Sequence, residues 1–138
     1  MHFIHRVRVR YAETDCMGIA HHASYVPWLE EARIEALREL GHSYRDCEEA
    51  GYLLAVIEVG LRYRRSVRFD DELTLSTTIR ACSRSRLEFT TRIASADTLA
   101  AEGRVSVACV DRDGRPQRLP PAIDAAVRAR EAAASLPL

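Results

Sequence analysis

Tyr11-Ala12-Glu13-Thr14-Asp15-Cys16-Met17-Gly18-Ile19-Ala20-His21-His22-Ala23-Ser24-Tyr25 joins an extended segment to an amphipathic helix, and the rest of the chain is organised around that junction. Upstream, Val7, Val9 and Tyr11 alternate with Arg6, Arg8 and Arg10, the period-two pattern of a strand with one buried face. Downstream the period changes. Tyr25, Trp28, Leu29, Ala32, Ala36, Leu37 and Leu40 share one helical face, while Glu30, Glu31, Arg33, Glu35, Arg38 and Glu39 fall mostly elsewhere. Ser24 is placed to cap this helix, Pro27 occupies the first turn, where its missing N–H breaks no intrahelical bond, and Gly41 stops it.

Ser43, with Asp46 three residues on, has capping-box spacing and opens a short second helix that closes near Gly51. Extended runs follow at Tyr52 to Arg68, Glu72 to Ser83, Arg86 to Ala96 and Glu102 to Asp111. The turn-like Asp70-Asp71, Ser83-Arg84-Ser85 and Ser95-Ala96-Asp97 separate them, and such short connections favour antiparallel neighbours. Asp111-Arg112-Asp113-Gly114 is a tight turn, and Leu119-Pro120-Pro121 ends the sheet region before an Ala-rich helix, Ala122 to Ala134. No repeat or linker divides the chain, so residues 1–138 read as one α+β domain with a sheet curled around a central helix.

At 138 residues the domain can bury a core without metals or disulfides. Lys+Arg and Asp+Glu both total 20, so no net charge draws it to nucleic acid or to a membrane. Every one of those cations is an arginine, which fits a biased composition and also sets each fixed positive charge on a planar fork suited to phosphate. Cys16, Cys47, Cys82 and Cys109 lie far apart without zinc-type spacing, and the N-terminus has no signal-peptide apolar core, so a cytoplasmic protein with free thiols is expected. No apolar run approaches membrane-spanning length, and the histidines match no metal pattern.

The junction reads as an active site because a helix start offers unpaired N–H groups and the positive end of a dipole beside a carboxylate. Asp15 supplies a carboxyl group of the kind that attacks a carbonyl carbon or orients water. It can equally cap a turn or pair with an arginine of the first strand. Gly18 permits a sharp turn, and the backbone N–H groups near His22 and Ala23 can polarise a carbonyl oxygen. The His22 side chain can contact substrate, move a proton or only brace the loop, whereas His21 reads as structural. Cys16 with His21 or His22 is a conceivable thiol–base pair, which carries little weight beside the carboxylate.

The order Tyr11-x-Glu13-Thr14-Asp15-x-x-Gly18-x-x-x-His22-x-Ser24-Tyr25-x-x-Trp28-Leu29-Glu30 resembles the hot-dog-fold acyl-CoA thioesterases of the 4-hydroxybenzoyl-CoA thioesterase family, nearest the Tol-Pal-associated branch. The resemblance continues through Tyr63 to Asp71, Phe89 to Ile93 and Val107 to Pro121. It implies a hot-dog fold, an antiparallel sheet of about five strands wrapped around one long central helix. It also implies a homodimer with its sheets side by side and two active sites at the interface, assembling further into homotetramers. Asp15 would be the catalytic carboxylate, assisted by His22, with Gly18, His22 and Ala23 forming the backbone oxyanion site. Arg84, Ser85 and Arg86 would hold coenzyme A, with Arg64 and Arg65 as weaker candidates. The substrate would be a thioester of coenzyme A or acyl carrier protein, hydrolysed without metal or other cofactor; His22 tilts the acyl group toward short or medium aliphatic chains. Two alternatives stand beside this: a non-catalytic acyl-thioester binder, and a hot-dog dehydratase working through Glu30 or Glu31 of the helix.

Overall fold

Tyr25, Trp28, Leu29, Ala32, Ala36 and Leu37 are all buried, and they are the stripe by which α1 (Tyr25–Glu39) lies on the sheet. The computed structural model describes residues 2–134; Met1 and residues 135–138, the ends of the single-domain assignment, lie outside the described residues. The sheet comprises β1 (Phe3–Arg8), β2 (Leu53–Tyr63), β3 (Glu72–Ala81), β4 (Arg86–Ser95) and β5 (Thr98–Val110). Their order is β1-β3-β4-β5-β2, antiparallel throughout, so the central helix and β2 are inserted between two strands that become neighbours. This is the hot-dog arrangement. α2 (Tyr44–Glu49) follows α1, and α3 (Pro121–Ala134) seals the core with Ile123 and Val127.

Alternation sorts the sheet into two faces. Leu73 and Leu75 of β3, Leu87, Phe89 and Ile93 of β4, and Val105, Val107 and Cys109 of β5 point to the helix, while Arg80, Arg86, Arg92 and Arg104 stay exposed. One small residue fixes how closely α1 approaches: a Cβ on Gly103 would stand 2.6 Å from both Leu29 methyl groups. Leu29 therefore enters the sheet where a side chain is missing.

Four local expectations are revised. Ser24 is already helical, and its hydroxyl donates to the Glu13 carbonyl at 2.9 Å instead of capping α1, because a 3-10 turn (His22–Ser24) carries the helix start upstream to His21. Arg33 is buried rather than solvated, lying beside Glu30 and Tyr44, and Leu40 is only half-buried. β2 ends at Tyr63, since the Arg64 and Arg65 amides both turn onto the Ala100 carbonyl. β5 begins at Thr98 rather than Glu102, because Ala96 (φ 48°) and Asp97 (φ 63°) make a two-residue hairpin turn that resumes pairing at once.

β2 is an edge strand. Val56, Ile57 and Val59 are 45%, 48% and 42% exposed there, an apolar edge of the kind that proteins ordinarily cover.

Candidate active site

Asp15 sits in a small hairpin. Thr14 bridges Ala20, the Asp15 amide donates to the Ile19 carbonyl at 2.9 Å, and the Gly18 amide returns to the Asp15 carbonyl at 3.0 Å. Closing so short a loop requires the left-handed backbone of Gly18 (φ 80°). The Asp15 carboxylate accepts the Met17 amide at 2.8 Å through Oδ1, an Asx turn; among the described residues nothing donates to Oδ2. The turn-capping bond thus leaves the second oxygen of this half-buried side chain open to a ligand. The hairpin is clipped to the loop after β2 by the Ala20 amide on the Val67 carbonyl (2.8 Å) and by the Ile19–Arg68 bridge.

Glu13 ties this hairpin to the helix. Its carboxylate accepts the Trp28 indole N–H at 2.8 Å and the Arg10 amide at 2.7 Å, and its carbonyl takes the His21 amide at 2.7 Å and the Ser24 hydroxyl. Residues on both sides of the Asp15 loop are held by one buried residue to which the sequence motif assigned no role.

At the helix start, the Ala23 amide already donates to His21 Nδ1 at 3.1 Å and the Ser24 amide to the His21 carbonyl at 2.9 Å. Among the described residues no acceptor takes the His22 amide, which leaves it as a candidate donor for a ligand oxygen. His22, Ile19, Ala20, Tyr25, Tyr63, Arg64, Arg65 and Ser66 line a cavity of about 310 Å³. The Tyr63 hydroxyl donates to the His22 carbonyl at 3.0 Å, and its ring meets Tyr25 edge-on at 4.9 Å. Burial, reinforced by Tyr63, pushes the Tyr25 phenol above its ordinary pKa and keeps it neutral.

The structure therefore brings His22 together with Arg64 and Arg65. Asp15 and Gly18 lie on the adjoining hairpin without lining this cavity, and Ala23 does not line it either. Arg64 is engaged with Glu102 at 3.0 Å, a contact that lowers the Glu102 pKa.

Arg84, Ser85 and Arg86 are elsewhere. Tyr63 pairs beside Ala101 and Arg86 beside Ala108, so within one chain roughly 24 Å of strand separates them. The three also part company. Arg84 joins Arg118 and Arg128 around a cavity of about 560 Å³ that Leu119, Pro121 and Asp124 complete. Arg86 starts β4 on the outer face, and the Ser85 amide is spent on the Ser83 hydroxyl. Arg118 and Arg128 are sequence-distant from Arg84, and no local motif announces them.

Cys16 is exposed on the hairpin, whereas burial holds the Cys47 and Cys109 thiols above their ordinary range. Glu31 is bonded to His5 at 3.0 Å and Glu30 lies 3.7 Å from Arg33; neither lines the His22 cavity. Among the described residues, no helix is long and apolar enough to cross a membrane.

A model of the thioesterase-like superfamily matches residues 9–127. The acyl-CoA thioester hydrolase YbgC of Escherichia coli is 38% identical over 119 residues, covering 85% of this chain and 89% of that protein. Among solved structures, the DHNA-CoA thioesterase of Staphylococcus aureus superposes with a TM-score of 0.91 at 29% identity, covering 99% of this chain and 97% of that one. The Thermus thermophilus protein TT1821 does so at 0.87 with 35% identity, covering 91% and 97%.

Proposed function

The chain belongs to the thioesterase-like superfamily, and from that premise we propose that it hydrolyses acyl-CoA thioesters to a carboxylic acid and free coenzyme A, with Asp15 as the reactive carboxylate. The observation that carries the reading is the Asp15 hairpin itself. One carboxylate oxygen is pinned by the Met17 amide while the other has no donor among the described residues, one clipped loop away from the helix-start amide of His22. A thioester oxygen on that amide would gain hydrogen bonding as its negative charge develops. Asp15 then either attacks the carbonyl carbon, expelling the coenzyme A thiolate and leaving an anhydride for water to open, or takes a proton from water that attacks directly. Both routes consume one water and need no cofactor.

A second copy supports the substrate's length. β2 presents an unpaired apolar edge, and antiparallel pairing of two such edges sets the Leu53 end of one strand beside the Tyr63 end of the other. The partner's sheet end, with its Arg84–Arg118–Arg128 cavity, is thereby carried toward the site that its own chain holds far away. Guanidinium forks there suit the phosphates of coenzyme A or of a carrier-protein pantetheine arm.

The deciding experiment is thiol release from a panel of short, medium and aromatic acyl-CoAs by wild type and Asp15→Asn. Wild-type turnover that falls at least 100-fold in Asp15→Asn, with binding retained, is expected. Stoichiometric binding without any thiol release would instead identify a non-catalytic acyl-thioester binder, and an Asp15→Asn rate near wild type would remove Asp15 from the reaction.

A further inference from the structure

We propose that Tyr63 is a positioning residue for the oxyanion donor, acting through the backbone of His22; this rests on the thioesterase reading above and assigns a role that the sequence motif does not contain. Residue 22 is held from both sides. Its preceding peptide, the one bearing the His22 N–H, is fixed by the Ser24 amide on the His21 carbonyl at 2.9 Å. Its following peptide is held within the turn by the Tyr25 amide on the His22 carbonyl, and from outside the helix by the Tyr63 hydroxyl on the same carbonyl at 3.0 Å. The first clamp belongs to the helix and forms wherever the 3-10 turn forms. The second comes from the last residue of β2, forty-one positions away, and couples the helix start to the end of the edge strand.

The Ala23 amide, the other donor at this turn, is occupied by His21 Nδ1 at 3.1 Å. The catalytic burden therefore falls on the His22 amide, whose direction depends on both clamps. Tyr63 is suited to the task because its ring is itself fixed, edge-on to the buried Tyr25 at 4.9 Å. The same ring walls the cavity into which His22 faces. A preorganised donor helps in the transition state more than in the ground state, so its loss appears in kcat rather than in KM.

The test is Tyr63→Phe, which deletes the hydroxyl and retains the ring against Tyr25. Thiol release should show kcat about tenfold lower, the rate equivalent of one hydrogen bond, with KM within about twofold of wild type. Independently of turnover, the ¹⁵N–¹H resonance of Ala23, whose nitrogen shares a peptide with the His22 carbonyl, should move in the variant while resonances of α3 stay in place. A Tyr63→Phe enzyme with wild-type kcat, or with only KM raised, overturns the positioning role, as does an unmoved Ala23 resonance. A wild-type protein that hydrolyses no thioester in the panel overturns the thioesterase reading itself, a failure told apart because it precedes any comparison with the variant.

Discussion

Replacing Glu13 by alanine should destabilise the protein by about 3 kcal/mol, and the structure supplies the parts of that figure. The carboxylate accepts the Trp28 indole N–H at 2.8 Å and the Arg10 amide at 2.7 Å. Trp28 is 2% exposed, so its orphaned N–H meets no water and costs about 2 kcal/mol; the Arg10 amide, at a more open edge, costs about 1 kcal/mol. For 138 residues the unfolding entropy is about 0.29 kcal/mol/K, so the melting temperature should fall by about 10 °C. Urea denaturation of wild type, Glu13→Ala, Trp28→Phe and the double variant measures the terms. Phenylalanine removes the very N–H that the first substitution strands, so the double variant should be more stable than the sum of the single losses by about 1–2 kcal/mol. Additivity within about 0.5 kcal/mol, or a Glu13→Ala loss below about 0.5 kcal/mol, would refute the claim that this carboxylate ties the Asp15 loop to α1.

The remaining expectations concern the core, the thiols and the cation cluster. Gly103→Val should lose about 1–3 kcal/mol because its Cβ falls 2.6 Å from the Leu29 methyls, and Leu29→Ala in the same chain should recover part of it; calorimetry reads both. A thiol reagent should titrate Cys16 and Cys82 rapidly in the native protein and Cys47 and Cys109 only on unfolding. Burial, with the nearby Cys47, pushes the Cys109 thiol up to about 11 from 9.0, so the folded state keeps its proton after the unfolded chain has lost it. Stability should therefore fall as pH rises from about 9 to 11, and Cys109→Ala should flatten that slope in denaturation curves taken across the range. Arg84→Ala with Arg118→Ala should raise KM for acyl-CoA about tenfold and leave acyl-pantetheine unchanged; equal effects on the two substrates would detach the cluster from the nucleotide end.

The fold was legible because two periods, 2 and 3.6, occupy separate lengths of chain, and because an antiparallel sheet with short connections leaves few arrangements for one long helix. The misread boundaries share a cause. Ala96 and Asp97 adopt left-handed backbone without a glycine to announce it, so β5 begins at Thr98, four residues before the Glu102 that the pattern indicates. Arg33 looked like a solvent-facing charge because its type says exposed, and only the packing of Tyr44 beside it makes the position a buried one.

The candidate site was legible in one dimension and hidden in the others. Asp15, Gly18 and His22 are close in sequence, so a motif can carry them together, and the clipped hairpin holds Asp15 and Gly18 on the loop that leads into the His22 turn. Glu13 acts on Trp28 across fifteen residues and Tyr63 on His22 across forty-one, and neither spacing is periodic in anything. Arg84 is a different case: it lies just before Arg86, whose partner Ala108 is seven residues along β5 from Ala101, the partner of Tyr63, a separation that residue types cannot express. On the proposed reading, a cation cluster at the far end of the sheet would serve the reaction only in a two-fold pair that inverts that sheet. The exposed apolar edge of β2 and the distant arginines would then answer one requirement, that the substrate be longer than the half-site a single chain provides.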